Sequence, residues 1–101
     1  MDTPRLEWKS PDGSQQSFEI TAAEVTIGRM ADCDLVVVHP HVSRHHAKLV
    51  EASGGYEIVD TDSHYGTYVN AARVDRRKLQ DGDRVRLAEF EFQFRQVNSG
   101  R

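Results

Sequence analysis

The sequence has a single cysteine, Cys33, among its 101 residues. No internal disulfide can form, and a reducing compartment is the simplest setting. Long apolar stretches are missing too. The longest aliphatic run is Leu35 to Val38, far short of the ~20 residues a bilayer-spanning helix needs. Met1-Asp2-Thr3-Pro4 lacks both the basic start and the apolar stretch of a signal peptide. There is no excess of positive charge: 13 basic against 16 acidic side chains leave a net charge of −3. That argues against nucleic acid, whose phosphate backbone selects strongly basic surfaces. No internal repeat, low-complexity tract or three-turn helical pattern occurs, and Thr21 to Glu24 offers one helical turn at most. The expectation is a cytoplasmic chain, monomeric as an isolated domain, that engages neither nucleic acid nor membrane. With 38% hydrophobic residues it can bury one small core unaided by metal or disulfide. Residues 1–97 are expected to form that domain, and Asn98-Ser99-Gly100-Arg101 to begin a polar linker or tail.

What is present is the two-residue alternation of strands. Leu6 and Trp8, then Phe18 and Ile20, alternate with polar neighbours on either side of Pro11-Asp12-Gly13-Ser14, which predicts a hairpin. Val25 and Ile27 alternate toward Gly28, and Leu35 to Val38 follows as a short run. His46 to Glu51 predicts a strand with Ala47, Leu49 and Glu51 on one face. Gly54-Gly55 is a tight-turn dipeptide, and Tyr56 to Asp60 is the return strand. A polar loop, Thr61 to Gly66, precedes the strand Thr67-Tyr68-Val69-Asn70. Asp81-Gly82-Asp83 turns the chain into Val85-Arg86-Leu87, and Phe90, Phe92 and Phe94 close it. Many short strands with turn signals between them predict an all-β sandwich or barrel.

Function in such a fold concentrates in the loops at one end. Three loops carry donors suited to phosphate: Gly28-Arg29, His41-Val42-Ser43-Arg44-His45-His46, and Ser63-His64-Tyr65-Gly66-Thr67. A doubly charged phosphate favours forked guanidinium donors, hydroxyls and free backbone N–H groups. Taken singly, each has an ordinary structural explanation. An Arg after Gly is a solvated turn residue, a loop Ser caps a turn, and of two adjacent histidines entering a strand one packs inward. Ser43, His45 and Asp60 offer the residue types of a hydrolase triad, but no G-x-S-x-G elbow accompanies them, and no enzyme is expected. His39, His41, His45 and His46 cluster, yet Pro40 interrupts the strand and no Cys or carboxylate completes a familiar spacing. Neither a metal nor a cofactor is therefore expected. The basic segment Arg73-Val74-Asp75-Arg76-Arg77-Lys78 reads as a solvated loop, with a phospho-independent interaction surface as its alternative.

Together these elements stand in the order G-R … S-R-x-H … S-x-Y-G-T-x-V-N, carried by Gly28-Arg29, Ser43-Arg44-His45-His46 and Ser63-His64-Tyr65-Gly66-Thr67-Tyr68-Val69-Asn70. The pattern resembles that of the forkhead-associated (FHA) domain from about Phe18 to Phe94. Asp32-x-Asp34-Leu35, Tyr56-x-Ile58-x-Asp60 and Leu79-x-x-Gly82-Asp83-x-Val85-x-Leu87 lie between and after the motifs. The resemblance implies a β-sandwich of about eleven short strands whose loops at one end bind phosphothreonine peptides of a protein partner. It implies that Arg29 grips the phosphate, that the Ser43 hydroxyl hydrogen-bonds it, and that Arg44 assists with phosphate or flanking residues. Gly28, His46, Gly66, Thr67 and Asn70 are implied to hold the loops in shape. The sequence departs from the pattern at Tyr65, where the family has an Asn that hydrogen-bonds the peptide backbone, and at His64, where Ser, Thr or Arg is usual. Both positions nevertheless fall in the implied peptide site.

Overall fold

A computed structural model describes residues 3–96 of the chain. The boundary expected at 97 and the linker expected over 98–101 lie outside the described residues. The strands are β1 (Arg5–Lys9), β2 (Gln15–Glu19), β3 (Glu24–Gly28), β4 (Leu35–Val36), β5 (Ala47–Ala52) and β6 (Gly55–Asp60), followed by β7 (Thr67–Val69), β8 (Ala72–Val74), β9 (Arg76–Lys78), β10 (Arg84–Leu87) and β11 (Phe90–Arg95). They form a six-stranded sheet in the order β2-β1-β11-β10-β7-β8 and a five-stranded sheet in the order β4-β3-β5-β6-β9. No helix of the described residues is long and apolar enough to cross a membrane.

The alternation in sequence becomes the core. Leu6, Val85, Leu87, Phe92 and Phe94 from the first sheet meet Ile27, Leu49 and Ile58 from the second, all at most 1% exposed. Burying each such side chain contributes roughly 1.5–3 kcal/mol. Register is set by this pattern, because a slip of one residue would turn every apolar side chain to solvent. The pairs Ile27↔Ala47 and Ala47↔Asp60 place the end of β3, the start of β5 and the end of β6 side by side. In the other sheet Leu87↔Thr67 brings the start of β7 and the β10–β11 turn together. The loops expected to carry function therefore share one end of the sandwich.

Four local expectations are corrected. The β5–β6 turn is Ser53-Gly54 rather than Gly54-Gly55, because Ala52 pairs with Gly55 and both Ser53 (φ 49°) and Gly54 (φ 79°) take the positive φ that a two-residue hairpin of this hand requires. The 35–38 run leaves the strand after Val36, and Val38 is 86% exposed. Asn70 lies beyond β7, forming with Ala71 a second turn of two positive-φ residues, at 50° and 73°. The basic segment is not a loop but contributes to β8 and β9, one edge strand of each sheet. Cationic side chains on such edges oppose pairing with other chains. Glu51 is exposed, unlike Ala47 and Leu49, and precedes the β5–β6 turn.

Candidate functional site

Gly28 ends β3 where the chain passes directly against the backbone of Arg44. A Cβ at Gly28 would lie 2.2 Å from the Arg44 carbonyl oxygen and 2.9 Å from its carbon. Only glycine permits this approach, and it allows two backbone hydrogen bonds across the loops: Arg29 N–H to Ser43 O (3.1 Å) and Met30 N–H to Arg44 O (3.2 Å). The exposed Arg29 side chain donates from Nε to the Val42 carbonyl at 3.0 Å. That bond leaves the two terminal guanidinium nitrogens without a hydrogen-bond partner among the described residues. Ser43 Oγ accepts the His64 N–H at 3.0 Å, so its own O–H remains available to donate. The Arg44 side chain is exposed, while its carbonyl also receives the buried Cys33 thiol at 3.4 Å.

His46, fully buried, ties the loops together. Its Nδ1 accepts the Ser43 N–H at 3.1 Å, and its Nε2 lies 2.9 Å from the Gly66 carbonyl. One nitrogen accepts and the other donates, so these partners select the neutral Nε2–H tautomer. Burial pushes the imidazole below its ordinary pKa; the Gly66 bond and the Asp60 charge act in the other direction and only partly offset it. The folded state thus holds the proton less readily than the unfolded one. His46 costs no stability above the unfolded value of about 6.5, and stability falls as pH drops through that value, levelling off below the depressed folded value. Urea denaturation at pH 7.5 and 5.0 is expected to show a larger acid loss in the native chain than in a His46→Gln variant. An equal loss in both would contradict this role.

The 61–66 loop is organised by Asp60, which closes β6. Its carboxylate accepts the N–H groups of Asp62 and Ser63 (both 3.1 Å), the Ser63 hydroxyl, and the Thr67 hydroxyl at 2.7 Å. Burial alone would raise its pKa, but the bonds from Ser63 and Thr67 outweigh burial and hold it below the usual carboxylate value. Ser63 Oγ in turn accepts the Gly66 N–H at 3.0 Å. Gly66 sits at φ +93°, a conformation that L side chains rarely adopt. Asn70 lies at the far end of β7, where it donates to Asp83 (2.9 Å) and accepts the Arg84 N–H (3.0 Å). It braces the turn into β10 and does not reach the loop cluster.

His64 and Tyr65 crown the loop. The Tyr65 ring, 48% exposed, lies 4.7 Å from the His41 ring and 4.8 Å from the His64 ring, the latter edge-on. Tyr65 is thus part of an aromatic cluster rather than an isolated substitute for an amide. His41 Nδ1 and His39 Nε2 each lie 3.1 Å from Oε1 of Glu89, in the β10–β11 turn. Sequence reasoning missed Asp60 as an organiser and Glu89 altogether. The D-x-D-S run hinted at the former, whereas nothing local signals the latter, 48 residues from His41.

The hydrolase constellation is not assembled. His45 faces Asp32 at 3.1 Å instead of Asp60, and Ser43 Oγ is engaged by the His64 backbone. What the end of the sandwich offers is a converging set of guanidinium, hydroxyl and imidazole groups on a rigid frame, suited to holding a phosphorylated ligand.

The profile of the FHA domain family matches residues 25–88. The chain is 46% identical over 76 residues to an ABC transporter ATP-binding/permease protein of Mycobacterium tuberculosis, covering 75% of this chain and 9% of that protein. It is 38% identical over 88 residues to the transcriptional regulatory protein EmbR of M. tuberculosis, covering 86% and 22% respectively. The chain thus spans less than a quarter of either relative. EmbR has been solved with a low-affinity phosphopeptide, and the two folds agree with a TM-score of 0.82 at 33% identity over 92% of this chain and 24% of that one. A structure solved for phosphothreonine-dependent FHA domain interactions superposes with a TM-score of 0.86 at 29% identity, covering 96% of this chain and 99% of the other.

Proposed function

The chain belongs to the FHA domain family, and from that premise we propose that it is a non-enzymatic module that docks a phosphothreonine-bearing segment of a protein partner in intracellular signalling. Arg29 grips the phosphate through its terminal nitrogens, the Ser43 O–H donates to it, and Arg44 and His64 add donors at the rim. The observation that carries this reading is the placement of Arg29 and Ser43. Backbone bonds across Gly28 hold them together, and the Arg29 Nε–Val42 bond and the His64 N–H–Ser43 bond consume only the groups that phosphate does not need.

The magnitudes agree with reversible docking. A phosphothreonine carries about −1.5 to −2 charges and three acceptor oxygens. At roughly 1.5–2 kcal/mol per charge-assisted hydrogen bond, the lower part of the usual range, three or four donors contribute ~5–8 kcal/mol. That lies between millimolar and micromolar affinity before ordering costs and flanking contacts.

Threonine over serine follows if the γ-methyl enters a small apolar recess between the loops. One buried methyl contributes about 0.8 kcal/mol, and up to ~3 kcal/mol where a rotamer is also fixed. Calorimetric titration with one peptide in phosphothreonine and phosphoserine forms is expected to show the serine form binding at least ~4-fold more weakly. Equal affinities would contradict the recess.

A further inference from the structure

We propose that His39, His41 and Glu89 form a binding site for a zinc-like divalent transition metal on the rim of the loop cluster. His39-Pro40-His41-Val42 is a turn closed by the Val42 N–H donating to the His39 carbonyl at 3.1 Å. Proline at its second position presets the backbone and sets the two flanking imidazoles toward the same carboxylate. Glu89 arrives from the other sheet. Its Oε1 is 3.1 Å from both His39 Nε2 and His41 Nδ1, and the three donor atoms all lie within 4.8 Å of one another. In a tetrahedral zinc site with bonds of about 2.0–2.1 Å, neighbouring ligand atoms stand roughly 3.3–3.4 Å apart. Two of the three edges are already close to that length.

The donor set chooses the class of ion. Two imidazole nitrogens and one carboxylate suit zinc, copper or nickel, whereas calcium and magnesium favour all-oxygen shells. Three protein ligands leave one tetrahedral position open, and the partly exposed side chains give solvent access to it. Loading has one local cost. The His41 N–H donates to His39 Nδ1 at 3.3 Å, near the long limit of a hydrogen bond. A metal on Nε2 moves the ring hydrogen to Nδ1, so this bond opens and the His41 amide must change environment.

A second group, Asp32, Cys33 and His45, has comparable spacing. Its Cys33 thiol is buried and donates to the Arg44 carbonyl, and burial together with the Asp32 charge raises its pKa, so the thiolate a metal needs is disfavoured. This group serves as the internal control.

The test uses the 101-residue chain without any affinity tag, titrated calorimetrically with zinc chloride and, in parallel, with cobalt(II) chloride read by visible absorption. One equivalent of zinc is expected to bind, with a tetrahedral cobalt spectrum and a shift of the His41 amide resonance. His39→Ala and Glu89→Gln are each expected to weaken zinc by at least about tenfold, since even groups that only orient metal ligands are worth that much. His45→Ala should change nothing. Glu89 is exposed and His39 half-buried, and unchanged thermal midpoints will show that the variants remain folded. No stoichiometric binding, binding that survives His39→Ala and Glu89→Gln, or a matching loss in His45→Ala would each overturn the site.

Discussion

Replacing Arg29 with alanine is expected to weaken a bound phosphothreonine peptide by about 2–4 kcal/mol, roughly 30- to 700-fold. The side chain is solvent-facing, and its single bond to the chain runs from Nε to the Val42 carbonyl. The forked end therefore takes no part in the fold and is free for a ligand. Losing the Val42 bond should lower stability by only about 0.5–1.5 kcal/mol. Arg29→Lys should recover part of the affinity, because an ammonium restores charge but cannot bridge two phosphate oxygens or hold the Nε contact. Titration calorimetry beside a thermal melt separates the two effects. Unchanged affinity in Arg29→Ala would remove Arg29 from the phosphate site.

Gly28→Ala is expected to act in the opposite manner, through the frame. The new methyl would stand 2.2 Å from the Arg44 carbonyl oxygen and 3.0 Å from Cys33 Sγ. Backbone cannot yield as a flexible side-chain tip does, so the β4–β5 loop must move away. Overpacking of this kind costs about 1–3 kcal/mol, which for a chain of this length corresponds to a fall of roughly 4–24 °C in thermal midpoint. The same movement breaks the Arg29–Ser43 and Met30–Arg44 backbone bonds that hold the two residues proposed to bind phosphate side by side. Phosphopeptide affinity should therefore fall along with stability, even though Gly28 offers no side chain to the ligand. A variant with the native melting temperature and native affinity would contradict this account of the glycine.

The strands that pack a face into the core were readable from alternation alone. Leu6, Val25, Ile27, Leu49, Ile58, Val85, Phe92 and Phe94 all stand where period two places them. β8 and β9 were not readable, because their residues are exposed or half-buried and carry no hydrophobic alternation. Their pairing is decided by neighbours β7 and β6 rather than by their own sequence. The turn at Ser53-Gly54 was displaced by one residue because a serine, not a glycine, takes its first positive-φ position. Among the loops, Arg29, Ser43 and His46 were legible as motif residues, and strand geometry gave that one histidine of the His45-His46 pair packs inward, without saying which. The roles of Asp60 and Glu89 depend on groups brought together only by folding. The Asp60 carboxylate gathers a loop that follows it, whereas Glu89 reaches histidines from the opposite sheet.

The most direct measurement starts from an oriented phosphothreonine peptide library, which selects the flanking residues this chain prefers. The best peptide is then titrated with and without its phosphate. Phosphate-dependent docking predicts affinity between millimolar and micromolar, or tighter, for the phosphorylated form. The unphosphorylated form should lose most of the ~5–8 kcal/mol assigned to the phosphate contacts. Equal binding of the two forms would contradict the account and would place the interaction on another face of the sandwich.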